Sequence, residues 1–83
     1  MSEVNRAEQI HNLDVTVWVG KHGIESVRDE LDSQLDDRGM VKVKFHRSAR
    51  AGTETADLAD ELAEMVDATV AETRGHTAVI ARD

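Results

Sequence analysis

Two runs of alternating apolar and polar residues, separated by a helical pattern, constrain the fold of this chain most strongly. Residues 13–19, L-D-V-T-V-W-V, alternate with a period of two, which is typical of a half-buried strand. Residues 40–46, M-V-K-V-K-F-H, alternate in the same way. Between them, residues 26–38 carry apolar residues at helical spacing. Because a strand, a helix and a strand in this order normally form a right-handed crossover, the two strands are predicted to pair in parallel.

Each of these elements is predicted to have one inward and one outward face. The inward faces carry Val15, Val17, Val19, Val41, Val43 and Phe45 on the strands and Ile24, Val27, Leu31 and Leu35 on the helix. The outward faces of the strands carry Thr16, Trp18, Lys42, Lys44 and His46. Ser26 and Asp29 suggest a capping box at the helix start, with Gly23 as an alternative cap, and Gly39 suits a left-handed helix end.

The second half of the chain predicts one more helix and a hairpin. Residues 47–53 have the composition of a loop, and residues 54–67 form an amphipathic helix capped by Thr53. Residues 69–73 and 77–81 are predicted to be short strands joined by a tight turn at Arg74, Gly75 and His76. The predicted fold class is α/β with a β-α-β-α-β-β core, in which both helices cover one face of a four-stranded mixed sheet. A short N-terminal helix over residues 3–10 is a further expectation.

Length and composition limit the class of protein. Eighty-three residues suffice for one modest core, so residues 13–83 are expected to form a single domain after an N-terminal segment, residues 1–12. The chain has no cysteine, which excludes disulfides and thiolate metal sites. No apolar run approaches the roughly 20 residues of a membrane span. We therefore expect a soluble cytoplasmic protein, with no cofactor and no membrane partner.

The distribution of charge is uneven. The formal net charge is −7, and only three of the ten basic residues are lysines, a composition similar to that of proteins from salt-loving organisms. A net negative charge alone argues against a polyanionic partner. Residues 38–53, however, contain no Asp or Glu and hold five of the ten cations. These five are Arg38, Lys42, Lys44, Arg47 and Arg50.

The segment V-W-V-G-K-H-G-I carries a glycine pair at a predicted strand-to-helix turn. Gly20 and Gly23 could let backbone amides approach a phosphate at the positive end of a helix, with Lys21 adding charge and His22 a ring that donates or stacks. A G-x-x-G pattern is weakly specific. The alternative is a tight turn in which glycine supplies a positive φ and the middle residues are merely solvated.

The second strand and its loop favour the first interpretation. Lys42 and Lys44, followed by Arg47 and Arg50, would neutralise phosphates beside Trp18 as a stacking surface. The alternatives are a solvated strand whose lysines prevent aggregation and a tryptophan buried under the N-terminal segment. The rarity of lysine elsewhere in the chain argues for a binding role.

Read together, these motifs resemble the CRM domain (chloroplast RNA splicing and ribosome maturation) of the YhbY-like single-domain type. The resemblance covers residues 13–82 and includes M-V-K-V-K-F and R-G-H-T-A-V-I-A-R. It implies a fold similar to the C-terminal domain of translation initiation factor three, RNA binding, and association with precursors of the large ribosomal subunit. By position, the family's motifs fall on Gly20, Lys21, His22, Gly23, Lys42, Lys44, Gly75 and Arg82. The short acidic N-terminus and Ala81, where the family commonly has an aromatic residue, depart from it.

Two other classes of function are a module that docks a protein and an enzyme. The acidic helix faces could dock a basic protein, although regular surface carboxylates are more often only solvated. An enzyme based on Ser26, His22 and Asp29 would need a geometry and an oxyanion site that the sequence does not supply. The four histidines have no metal-ligand spacing. The sequence therefore predicts a monomeric RNA-binding protein of ribosome assembly without catalytic activity, with ribosomal RNA as its expected partner.

Overall fold

The structure, a computed structural model, describes residues 10, 12–50 and 52–82. Its elements, in chain order, are β1 (Val15–Val19), a 3₁₀ segment (Ile24–Val27), α1 (Arg28–Arg38), β2 (Met40–Phe45), α2 (Arg47–Arg50), α3 (Thr55–Met65), β3 (Thr69–Arg74) and β4 (Thr77–Ala81). The predicted β-α-β-α-β-β order is confirmed, with the one-turn helix α2 as an addition. The N-terminal helix expected over residues 3–10 lies outside the described residues, apart from Ile10.

The four strands form one mixed sheet in the order β1-β2-β4-β3. β1 and β2 are parallel, as their helical crossover requires. β4 runs antiparallel to both β2 and β3. β3 and β4 are joined by a tight turn in which Gly75 adopts a φ of 59°. The parallel pair and the hairpin both confirm the sequence prediction.

The core lies between one face of the sheet and the helices α1 and α3. Its side chains are at most 9% exposed, and burying each of the larger ones contributes about 1.5–3 kcal/mol. The strands supply Val17, Val19, Val41, Val43, Phe45, Ala78 and Ile80, and the helical layer supplies Val27, Leu31, Leu35, Leu58, Ala59, Leu62, Ala63 and Val66. Both helices therefore share one face, as predicted. We call the opposite face, which carries Trp18, Lys42 and Lys44, the open face.

Arg82, directly after β4, ties the sheet to both long helices. Its guanidinium pairs with Asp36 of α1 at 2.8 Å and with Asp32 at 2.5 Å, and it donates to the carbonyl of Val66 at the end of α3. Its backbone amide donates to the carbonyl of Gly39 at 2.9 Å. The hydrogen bond to Asp32 is the main reason that the pKa of Arg82 is raised. We call this set of contacts the Arg82 clamp.

The starts of both helices differ from the prediction. Ser26 does not cap α1, because its hydroxyl donates to the carbonyl of Gly23 at 2.7 Å. Gly23, the alternative cap of the prediction, is the N-cap residue of the 3₁₀ segment that leads into α1. α3 is preceded by Glu54 as the N-cap residue, rather than by Thr53, and no side chain closes that end. At the other end of α1, Gly39 adopts the predicted left-handed conformation, with a φ of 75°.

Two further expectations on backbone path were wrong. Residues 47–50, expected as loop, form α2, because the carbonyl of His46 accepts the amides of Ala49 and Arg50. Thr16 does not share a face with Trp18: an irregularity between Val15 and Val17 shifts the register, and the Thr16 hydroxyl donates to Gln34 of α1 at 2.6 Å. None of the helices in the described part of the chain is both long and apolar enough to span a lipid bilayer.

Candidate nucleic-acid interface

Three segments of the chain meet at one end of the sheet. The amide of His46 donates to the carbonyl of Val19 at 2.9 Å, which holds the end of β2 beside the end of β1. The amide of Phe45 donates to the carbonyl of His76 at 2.8 Å, which brings the β3–β4 turn to the same place. We call this the loop end of the sheet. It gathers the segment Gly20 to Gly23, the residues around α2, and the hairpin turn.

The first of these segments, G-K-H-G, is a closed turn, which we call the GKHG turn. The amide of Gly23 donates to the carbonyl of Gly20 at 3.0 Å, and Lys21 and His22 are both exposed between them. Within the described part of the chain, the backbone amides of these two central residues have no backbone partner. Unpaired backbone amides in a turn beside a lysine can serve as donors to an anion.

The expected contribution of a helix dipole to this turn is not seen. The four-residue 3₁₀ segment separates Gly23 from the first residue of α1, Arg28. The amide of Gly23 itself is engaged in the turn and cannot face a ligand. The turn can therefore hold a phosphate through the two central amides and the Lys21 ammonium, but without a long helix behind it.

The open face presents the predicted aromatic and basic side chains together. Trp18 is 53% exposed. It pairs in register with Lys44, which is also exposed, and partners directly opposite on neighbouring strands project to the same face. Lys42 is partly buried and pairs with Val15 on one side and Val79 on the other. Trp18 and Lys44 thus form an exposed pair next to the GKHG turn.

Arg47 and Arg50 lie at the two ends of α2. Arg47 is exposed, whereas Arg50 is partly buried and its Nε atom has no hydrogen-bond partner among the described residues. A buried donor without a partner is costly unless a ligand or water satisfies it. The structure therefore places both arginines of α2 at the loop end, Arg47 on the surface and Arg50 partly buried.

The cations of this end form no ion pair with a carboxylate in the part of the chain that the structure describes. Among residues 10, 12–50 and 52–82, the ion pairs formed with carboxylates belong to Arg82. The predicted site cations, Lys21, Lys42, Lys44, Arg47 and Arg50, have no such partner within those residues. They remain available to an external polyanion despite the net charge of −7.

Sequence reasoning missed two residues at the loop end. Arg74 and His76 flank Gly75 in the hairpin turn, and both are exposed. The turn itself was predicted, but its position beside the end of β2 was not. The local sequence pattern does not indicate which other segment the hairpin tip contacts. The hydrogen bond from Phe45 to His76 decides that placement.

No catalytic arrangement is formed around Ser26. Its hydroxyl is engaged by the carbonyl of Gly23 rather than by a base. Nucleophilic catalysis by a serine requires a hydrogen-bonded general base. Within the described residues, no three side chains of His, Asp or Glu converge as a metal site would require.

Comparison with known proteins places these features in a family. Residues 5–82 match the family model described as the CRS1 / YhbY (CRM) domain. A protein of Methanocaldococcus jannaschii named as a probable RNA-binding protein is 40% identical over 72 residues, covering 87% of this chain and 54% of that protein. The chain thus spans about half the length of this curated relative.

A solved structure shows the same architecture. The solution structure of a hypothetical protein from Staphylococcus aureus, described as a candidate RNA-binding protein, matches with a TM-score of 0.73 and 28% identity. The match covers 94% of this chain and 79% of that one. The sequence match over nearly the whole length and the shared fold lead to one conclusion: the chain belongs to the CRS1/YhbY (CRM) domain family.

Proposed function

We propose that this protein binds RNA through the loop end and the adjoining open face. The observation that carries the proposal is the convergence of the GKHG turn, the Trp18–Lys44 pair and the arginines of α2, without carboxylate partners among the described residues. Family membership and the names of the two similar proteins support it. The turn amides and the cations would bind phosphates, and Trp18 would stack on a base.

We further propose that the RNA is ribosomal and that the protein acts in the cytoplasm, as a monomer, on precursors of the large ribosomal subunit. The resemblance of the whole chain to the YhbY type supports this assignment. Sedimentation of a cell lysate on a sucrose gradient tests it. The protein should co-migrate with large-subunit precursors and shift to the top of the gradient after ribonuclease treatment.

The direct test of the binding surface measures affinity for ribosomal RNA fragments in the variants Lys21→Glu and Lys42→Glu. Reversing a phosphate-contacting charge should weaken binding at least about tenfold, because it removes one attractive contact and adds a repulsive one. Arg38→Glu is the matched control, since it makes the same charge change on an exposed residue at the far end of the sheet. Circular dichroism checks that all three variants fold.

Equal affinity in all four proteins would exclude this surface as the binding site. An acidic docking module for a basic protein is the second candidate, favoured by the exposed carboxylates Asp57, Asp60 and Glu64 on α3. Partners that remain bound after ribonuclease treatment, and that are lost when these three residues are neutralised, would support it instead.

A further inference from the structure

One row of side chains crosses all four strands at the loop end. Trp18 pairs with Lys44, Lys44 pairs with Thr77, and Thr77 pairs with Arg74. Since directly paired residues on neighbouring strands share a face, the row lies on the open face. Its two ends are Trp18 on the β1 edge and Arg74 on the β3 edge. Trp18, Lys44 and Arg74 are exposed.

The next row on the same face differs from the first in charge and in exposure. It consists of Val15, Lys42, Val79 and Glu72. Val79 is 2% exposed, and Glu72 places a carboxylate where the first row has Arg74. A polyanion is therefore favoured along the first row and disfavoured at the β3 edge of the second. Lys42 keeps the β2 position of the second row basic, so the charge pattern narrows the path toward the β3 edge, where only the first row carries a cation.

A groove continues this path beyond Arg74. It is lined by the hairpin tip, with Arg74, Gly75 and His76, and by Arg50 and the residues at the start of α3, including Thr53 and Glu54. Arg50 and Arg74 both line the groove. The Nε atom of Arg50 has no hydrogen-bond partner among the described residues, but it is itself buried. Glu54 is the one carboxylate among the lining residues.

We propose that a single unpaired RNA strand lies along this row, with one base stacked on Trp18, phosphates bound by Lys44 and Arg74, and a further phosphate held in the groove between Arg50 and Arg74. This inference rests on the proposed function and narrows its substrate to single-stranded RNA. The four strands span three spacings of about 4.8 Å each, or about 14 Å, which accommodates a few nucleotides. A tryptophan face can be covered only by a base that is not stacked within a duplex.

The first test compares two probes by fluorescence anisotropy, an oligouridylate of about 10 nucleotides and a blunt RNA duplex of equal length. The wild-type protein should bind the single strand more tightly. Trp18→Ala should weaken single-strand binding about 5- to 150-fold, the range expected for the loss of one stacked base, while leaving duplex binding unchanged. Trp18→Phe should recover part of the loss. The fold should survive both changes, since Trp18 is exposed and outside the core.

The second test addresses the groove with substitutions of opposite sign. Arg74→Ala should weaken binding of the oligouridylate and lower the slope of log affinity against log salt by about 0.7, the value for one phosphate contact on a single strand. Arg50→Gln should also weaken it, and Glu54→Gln should strengthen it. Arg38→Ala, which removes one exposed cation at the other end of the molecule, is the control and should change affinity little.

The outcomes separate this inference from the proposed function. If Lys21→Glu abolishes RNA binding while Trp18→Ala, Arg74→Ala and Glu54→Gln have no effect, the protein binds RNA but the strand path is wrong. Equal or tighter binding of the duplex would also overturn the path. If the wild-type protein binds neither probe nor ribosomal RNA fragments at any salt concentration, the proposed function itself fails.

Discussion

At the scale of single residues, the two glycines of the GKHG turn differ in the physical reason for which glycine occupies the position. Gly23 combines a φ of 80° with a ψ of −179°, a region that is essentially restricted to glycine. Gly20 has no positive φ, and a Cβ added there would contact nothing within 4 Å. Backbone conformation therefore explains Gly23, whereas nothing within the described protein explains Gly20. Under the proposed function, close approach of a ligand to the backbone is the physical reason for a glycine at that position.

This difference predicts that alanine substitutions will separate stability from binding. Gly23→Ala should lower the free energy of unfolding by about 1–3 kcal/mol, because alanine is strained in that conformation. Gly20→Ala should leave stability within about 0.5 kcal/mol of wild type but weaken RNA binding. Urea denaturation measures the first quantity and anisotropy with the oligouridylate measures the second. A fully active Gly20→Ala variant would show that the ligand does not approach this residue.

At the scale of elements, the Arg82 clamp gives a structural role to the closing arginine of the family pattern. It joins the end of β4 to Asp32 and Asp36 of α1 and to the carbonyl of Val66, the residue that follows α3. The elements it joins lie on the helix side of the sheet, and Arg82 follows the end of β4 that is opposite the loop end. Arg82 is thus a cation that serves the fold and not the proposed RNA surface.

We therefore expect Arg82→Ala to lower the thermal unfolding midpoint without weakening RNA binding by the folded protein. Asp32→Asn should also lower it, because it removes the negative charge from the partner at 2.5 Å. Asp37→Asn provides the matched control: it removes the same charge from an exposed position of α1 and lies outside the clamp. If Asp32→Asn and Asp37→Asn unfold at the same temperature, the clamp does not contribute to stability.

At the scale of the whole molecule, the charges are divided between the two sides of the sheet. The helical layer carries exposed carboxylates such as Asp29, Asp57 and Glu61, while the open face and the loop end carry cations. A protein with a net charge of −7 can therefore present a basic surface to RNA. The exposed carboxylates of the helices and the basic surface lie on opposite sides of the sheet. At physiological salt the Debye length is about 8 Å, so charges on the far side are largely screened.

This separation predicts a salt-dependent response to neutralising the helices. The triple variant Asp57→Asn, Asp60→Asn, Glu64→Gln should change RNA affinity less than about threefold at 0.15 M salt. At 0.01 M salt, where the Debye length is about 30 Å, the same variant should bind RNA distinctly more tightly than wild type. Titrations at the two salt concentrations measure both effects. A large loss of affinity at either concentration would mean that α3 contacts the ligand directly.

Local patterns predicted much of this structure because they depend on neighbouring residues alone. Alternation of Val17, Trp18 and Val19 identified the buried and exposed faces of β1, and the spacing of Leu31 and Leu35 identified the inward face of α1. Helix starts were less predictable: Ser26 and Thr53 both have residue types that cap helices, yet neither does. Several polar residues near a helix start can compete for its end, and tertiary packing selects among them.

The sequence by itself determined the order of the main elements, the parallel pairing of β1 with β2, the hairpin, and most of the side chains that form the core. The prediction that Val15 faces inward was wrong: it pairs with Lys42 on the open face, and the core does not include it. It also identified the GKHG turn and Trp18 with Lys44 as a surface. Only the tertiary structure decided that Thr16 turns toward α1, that Arg82 joins three elements, and that Arg74 closes a row beginning at Trp18. The physical reason is that side-chain periodicity is a local property, whereas strand register and irregularities are set by hydrogen bonds between distant segments of the chain.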